Sequence, residues 1–300
     1  MTNGTGSTVP RRQLGRALRE HRERAGISMK AAYEFLDCSY QRLWRLETGE
    51  PGVTIKSTEL EALCAWYQVH PDKTKVLVSL AKVSKGHGWW QNHAGGNLKW
   101  AELFFSAEAS SSRIRQFSST LVPGLLQARG YMDALYLAEQ SRLPADVTLE
   151  AIIESGQERQ RILQRAFPPP PQLEFMLAET VLRTELKIPG AMQQQLWHLL
   201  KANELPNVSV RVLPISAGLH SASISAGFTI LEFPALAGGR YAEPPTVFSD
   251  DLTGSVYLDQ PDDLAVYEGV WSTLAELALG MEDSTKTITA ILADLGESSS

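Results

Sequence analysis

The chain has 300 residues, 43% hydrophobic and 21% charged, which is enough apolar material for packed cores and enough length for two domains of ordinary size. No run approaches the roughly 18–20 apolar residues needed to cross a bilayer. The opening MTNGTGSTVPRR puts small polar residues where a secretion signal needs an apolar stretch. A cytoplasmic protein with no membrane partner is therefore expected. The two cysteines, Cys38 and Cys64, fall at apolar-periodic positions of predicted helices and are expected to be buried by packing rather than to form a disulfide or ligand pair. The net charge of −6 conceals an asymmetry: residues 11–56 carry a net +4 and the remainder −10. A polyanion is drawn to one end of such a molecule and repelled by the other, which makes nucleic acid a candidate partner of the first domain only.

Residues 1–10, rich in Gly, Ser, Thr and Asn, lack periodicity and are expected to be a mobile tail. Five short helices should follow. The first, over 12–24, repeats Leu14, Ala17, Leu18 and Ala25 at the 3-and-4 spacing of one buried stripe and stops at Gly26. Ser28 can cap the next helix, which should bury Ala32, Phe35 and Leu36. After a turn at Asp37 and Cys38, Ser39 can cap a third helix that runs to Thr48, with Gly49 and Pro51 ending it. Helices over 58–68 and 72–85 bring Leu60, Leu63, Cys64, Tyr67, Val76, Leu77 and Leu80 to the same core. The stretch 86–96, with GHG, Trp89-Trp90 and AGG, marks a connection, and its tryptophans are expected to dock on a domain.

Beyond it, helical patterns occupy 123–139, 146–166, 189–202, 262–279 and 284–295. Strand-like runs occupy 172–177, 208–213, 227–233, 246–248 and 255–258, and Pro168–Pro171 is a stiff spacer. The expected organisation is a tail (1–10), an all-α domain of five helices (11–85), a connector (86–111) and an α+β domain with a mixed or antiparallel sheet (112–300).

The chemistry concentrates in residues 28–49, SMKAAYEFLDCSYQRLWRLETG. Two short helices joined by a tight turn form a helix-turn-helix, whose second member can lie in a major groove while the first crosses the backbone. At about 100° per residue, Tyr40, Gln41, Trp44 and Arg45 share a sector of roughly 140°, while Leu43 and Leu46 face elsewhere. Arg45 can pair with guanine and Gln41 with adenine. Tyr40 and Trp44 can meet a thymine methyl or the sugar-phosphate wall. Arg42, Arg16 and the Ser39 hydroxyl are candidates for phosphate. A solvated helix face is the plainer alternative, but an aromatic pair suits solvent poorly.

The segment 13–70 resembles the Cro/C1-type (XRE) helix-turn-helix family in Ile27-Ser28, Leu36, Ser39 and the run Arg45-Leu46-Glu47-Thr48-Gly49. The resemblance implies base contacts from Tyr40, Gln41, Trp44 and Arg45, and an ion pair between Arg22 and Glu47 that positions the recognition helix. Met29 stands where the family often has a glutamine touching the DNA backbone, Tyr33 replaces a small residue at the helix crossing, and Asp37 replaces the turn glycine. Residues 87–296 resemble the C-terminal domain of WhiJ-like actinobacterial regulators in Leu121-Val122-Pro123-Gly124-Leu125-Leu126-Gln127, Glu158-Arg159-Gln160, Leu182-Arg183, Gln195-Leu196, Val210-Arg211-Val212-Leu213-Pro214, Gly218 and Gly227-Phe228. That resemblance implies pairing with a small partner protein.

Enzyme signatures are missing: there is no GxSxG, HExxH, P-loop or CxxC. His220 with Ser221, Ser223, Ser225, Asp250 and Asp251 can be imagined as a triad, but loop polar residues explain them better. His87, His93, His198 and His220 lack ligand spacing, and Glu243, Asp250 and Asp251 suit a solvated loop. No enzyme activity and no cofactor are expected. The leading expectation is a sequence-specific regulator binding double-stranded DNA as a homodimer. The alternative is an antitoxin-like protein that restrains a small partner, with DNA contact secondary.

Overall fold

The computed structural model describes residues 9–50, 52–83, 104–105, 107–141, 143, 147–234, 244–251 and 254–297. The expectations for residues 1–8, Pro51, Lys85, the 86–96 connection with Trp89 and Trp90, His87, His93 and Glu243 lie outside them, as do those for the side chains of Val76, Leu80 and Asp251. By contacts the chain forms two compact units, 1–110 with 233–264 and 111–232 with 265–300.

In the first unit, the described residues between 9 and 83 form α1 (Val9–Arg24), α2 (Met29–Phe35), α3 (Tyr40–Glu47), α4 (Ser57–Trp66) and α5 (Pro71–Val83). Ser28 and Ser39 sit in extended backbone and accept from the amides of Ala31 and Arg42 at 3.1 and 3.2 Å, so each satisfies an otherwise orphaned donor of its helix. The turn between these two helices places Asp37 at φ 46°. An aspartate there adopts the left-handed region more readily than most side chains. Gly49 ends α3 at φ 69°, with Glu50 N donating to Arg45 O at 2.9 Å. One core joins Leu14, Leu18, Ala32, Leu43, Leu46, Ile55, Leu60, Leu63, Cys64, Tyr67 and Leu77.

Three details depart from the sequence reading. Ala25 is exposed because it follows the end of α1. Phe35 is 47% exposed, since α2 ends there and the ring lies on Trp66, stacked at 4.5 Å, rather than beneath it. Cys38 belongs to the turn and is half-buried, while Cys64 is buried, and both are free thiols.

The second unit carries β1 (Arg113–Ser118), α6 (Arg129–Glu139), α7 (Leu149–Gln160), β2 (Gln172–Ala178), α8 (Glu179–Leu182), α9 (Ala191–Ala202), β3 (Val208–Leu213) and β4 (Gly227–Glu232). The β5 (Thr246–Asp251) and β6 (Gly254–Leu258) strands form an antiparallel hairpin in the first unit. The chain continues as α10 (Pro261–Leu277) and α11 (Met281–Glu297). Within the second unit the strands lie in the order β3-β2-β1-β4. β1 is parallel to β2, β2 is parallel to β3, and β1 is antiparallel to β4. The fold class is thus an all-α helix-turn-helix domain followed by an α+β region with a mixed sheet.

Strand β1 lies between two others yet has the sequence RIRQFS. Its arginines are tolerated because carboxylates surround them. Arg113 meets Glu174 of β2 at 2.7 Å, and Arg115 meets Glu232 of β4 at 2.8 Å and Glu268 of α10 at 2.6 Å. The hydrogen bond from Arg115 also holds the Glu268 carboxyl below its usual range. Arg211 similarly closes the end of α10, donating to the carbonyls of Ala275, Ala278 and Leu279 at 2.7–2.8 Å. Those carbonyls lie in and just past the last turn, where helical partners run out.

Candidate nucleic-acid interface

Helix α3 has two faces because its apolar positions recur at Leu43 and Leu46. Both side chains, with that of Glu47, are buried, while Tyr40, Gln41 and Arg45 are exposed and Arg42 and Trp44 are half-buried. Tyr40 stands 52% exposed and meets the edge of Tyr33 on α2 with ring centroids 6.3 Å apart. Tyr33, half-buried and packed against the helical core, therefore also braces an outward-facing ring.

What holds α3 at this angle is its contact with α1. Arg22 Nε and Nη2 donate to Glu47 Oε1 and Oε2 at 2.7 and 2.8 Å, and Arg22 Nη1 donates to Ile27 O at 3.0 Å. This is a two-pronged charge-assisted pair between nearly fully buried side chains. The hydrogen bond that Arg22 donates to Glu47 raises the Arg22 pKa further, against the opposing effect of burial. About two helical turns away, α1 carries Gly15, where an added Cβ would lie 2.5 Å from Leu46 O and 2.7 Å from Glu47 O. Glycine in a helix interior costs about 1 kcal/mol relative to alanine, and the close approach of two backbones explains its presence. Sequence reasoning missed it; the only signal was a glycine inside an otherwise apolar stripe.

The remaining predicted contacts divide. Arg42 is paired with Glu59 of α4 at 2.9 Å. The guanidinium of Arg16 hydrogen-bonds Ser110 and lies 5.2 Å from the Phe233 ring centre. Met29, at the start of α2, packs against the helical core. Ser39 uses its oxygen as the cap of α3. On α3 itself Tyr40, Gln41 and Arg45 are exposed and Trp44 is half-buried.

A second link was invisible in the sequence. Arg12 of α1 donates to Asp259 Oδ2 at 2.8 Å, to Thr246 Oγ1 at 3.1 Å and to Pro244 O at 3.2 Å, all within the first unit. The side chains of Arg12 and Asp259 are 9% and 1% exposed. Their positions differ by 247 residues, so no local pattern announces the pair. Arg12 also abuts the end of α3, since a Cβ on Gly49 would meet Arg12 Cα at 2.6 Å.

The imagined triad resolves into turn chemistry. Ser223 Oγ accepts from His220 N at 2.9 Å, and His220 Nδ1 accepts from Ala222 N at 3.3 Å. Among the described residues, no group of three or more His, Cys, Asp or Glu side chains is placed to hold a metal, and no helix is long and apolar enough to cross a membrane.

This geometry is that of a DNA-binding helix-turn-helix protein, and residues 13–77 match the family described as Helix-turn-helix domain. Residues 101–290, more than half of the chain, match the family described as Domain of unknown function (DUF5753), and the chain belongs to that family. No curated protein and no solved structure matches the chain.

Proposed function

We propose that the chain is a cytoplasmic, sequence-specific transcriptional regulator of the Cro/C1 type that lays α3 in the major groove of double-stranded DNA. The observation that carries this reading is the exposed set Tyr40, Gln41 and Arg45, on a helix held from behind by Leu43 and Leu46. Arg45 pairs with the O6 and N7 of guanine and Gln41 with the N6 and N7 of adenine, while Tyr40 and Trp44 contact a thymine methyl or the groove wall. Ser39 meets a phosphate through its hydroxyl proton. Arg42 and Arg16 reach phosphate only by exchanging their present partners, Glu59 and Ser110, and Met29 supports α2 by packing. The chain acts as a homodimer, with two α3 helices about 34 Å apart on half-sites one helical turn apart.

Selection of binding sites from random duplexes tests the proposal. A two-fold symmetric consensus is expected. Recovery of unenriched sequence at physiological salt contradicts it.

A second reading, an antitoxin-like role in which a WhiJ-type C-terminal domain restrains a small partner protein, is favoured by one feature of the second unit. Between β3 and β4, Ile215, Leu219 and Ile224, three large apolar side chains within ten residues of chain, are 59%, 96% and 98% exposed, and exposed apolar surface, where contiguous, marks interaction sites. Co-purification with the product of a neighbouring short reading frame, lost in the L219S/I224S variant, is the expected result. Retention of that partner by the variant removes this surface from the account.

A further inference from the structure

Several motifs that the DNA-binding reading leaves unused converge at one place in the second unit. The short 3-10 turn Gly124–Leu126 precedes α6 and is fixed by glutamines. Gln160 Nε2 donates to the carbonyls of Gly124 and Gln127 at 3.2 and 2.7 Å, and Gln127 Nε2 donates to Val122 O at 2.7 Å. Gln195, fully buried, accepts from Ala128 N at 2.7 Å and donates to Leu126 O at 2.6 Å. Beside this turn, between α6, α7 and α9, opens a cavity of about 440 Å³, within the size range of small-molecule sites.

Its lining has an uneven chemistry. Arg129 and Lys201 border it and, among the described residues, no carboxylate does, in a chain whose net charge is −6. Arg129 has no ion-pair partner among the described residues, and Lys201 pairs with Glu204 only on the exposed surface of α9. Such a surface pair exchanges readily. His198 Nε2 is buried without a hydrogen-bond partner among the described residues, which is unusual for a ring nitrogen in a native structure. Burial also lowers the imidazole pKa, so the ring is neutral near pH 7. Gln194 Oε1 accepts from Gly130 N at 2.9 Å, which directs its amide NH2 elsewhere. Trp197 is 58% exposed, and with Met132 it supplies flat apolar surface.

We infer that this cavity binds a small aromatic carboxylate: Trp197 and Met132 take the ring, Arg129 and Lys201 the carboxylate, and His198 Nε2 and the Gln194 amide the remaining polar atoms. Indole stacking suits a planar body, and the fork of an arginine matches the two oxygens of a carboxylate. The inference goes beyond the DNA-binding reading and does not rest on it, since binding is measured on the protein alone.

Calorimetric titration of the full chain with benzoate, indole-3-acetate and 1-naphthoate, each beside its uncharged primary amide, tests the site. At least one acid should bind one-to-one, with its amide weaker by about tenfold or more, which is ~1.4 kcal/mol. The R129M/K201M variant should lose about the same factor for the acid and leave the amide unchanged, and W197A should weaken both. The thermal midpoint of each variant, measured without ligand, should match that of the parent, because all three side chains sit at the surface of their helices. No binding of any acid at millimolar concentration, equal binding of acid and amide, or undiminished binding by folded variants overturns the assignment.

Discussion

At the scale of single residues, two positions in α1 decide where α3 sits. Removing Arg22 leaves the Glu47 carboxylate buried with no cation, and breaking a buried pair from one side costs about 3–5 kcal/mol. Arg22→Met should lower the unfolding free energy from urea denaturation by that amount, while the R22M/E47L double variant should recover most of the stability. The pair is then a device for orientation more than for stability, and the double variant should still lose DNA affinity. Gly15→Ala forces a methyl against the carbonyls of Leu46 and Glu47, and overpacking of this sort costs roughly 1–3 kcal/mol. An unchanged denaturation curve for G15A contradicts the close approach. Arg45 is different: it is exposed, so Arg45→Ala should leave stability within about 0.5 kcal/mol of the parent.

At the scale of elements, what the sequence made legible was what is held together locally. The helices α1–α5 follow from 3-and-4 apolar spacing, and their starts from Ser28 and Ser39, because caps and buried stripes are written within a few residues of where they act. Strand β1 was not legible. Arg113, Arg115 and Gln116 leave only Ile114 and Phe117 as apolar signals, and the carboxylates that make the arginines acceptable lie 61, 119 or 153 residues away. Phe35 was misplaced for a related reason, since its partner Trp66 lies on another helix.

The arginine cluster of β1 carries its own prediction. Glu268 has its carboxyl lowered chiefly by the hydrogen bond from Arg115, so its contribution to stability is complete above the ordinary glutamate value near 4.5 and is lost as pH falls through the lower folded value. Glu268→Gln should flatten the acid limb of the stability profile. An identical limb in the variant contradicts the coupling. Arg115→Ala should cost roughly 2 kcal/mol, below the full penalty of a buried pair because Glu268 keeps access to water.

At the scale of the whole molecule, charge and contact organise the same end of the chain. The basic 11–56 segment holds the helix-turn-helix, and the acidic remainder is expected to repel nucleic acid, which favours approach through α3. The first unit also includes residues far along the chain, with Arg12 tied to Asp259 of the β5–β6 region. Which sequence positions meet in this way could not be read from periodicity. The two-faced character of α3 was legible in the spacing of Tyr40, Gln41, Trp44 and Arg45 against Leu43 and Leu46, but the partners that occupy Arg16 and Arg42 were not.

The account turns on whether the outward face of α3 reads bases. The direct measurement is fluorescence anisotropy of the full chain and of Arg45→Ala on the selected site and on single-base variants of it, at fixed salt. Loss of about 1–3 kcal/mol by the variant on the selected site, with discrimination abolished at one base pair per half-site and unchanged elsewhere, is the predicted result. Equal loss on every sequence, or full discrimination retained without Arg45, contradicts it.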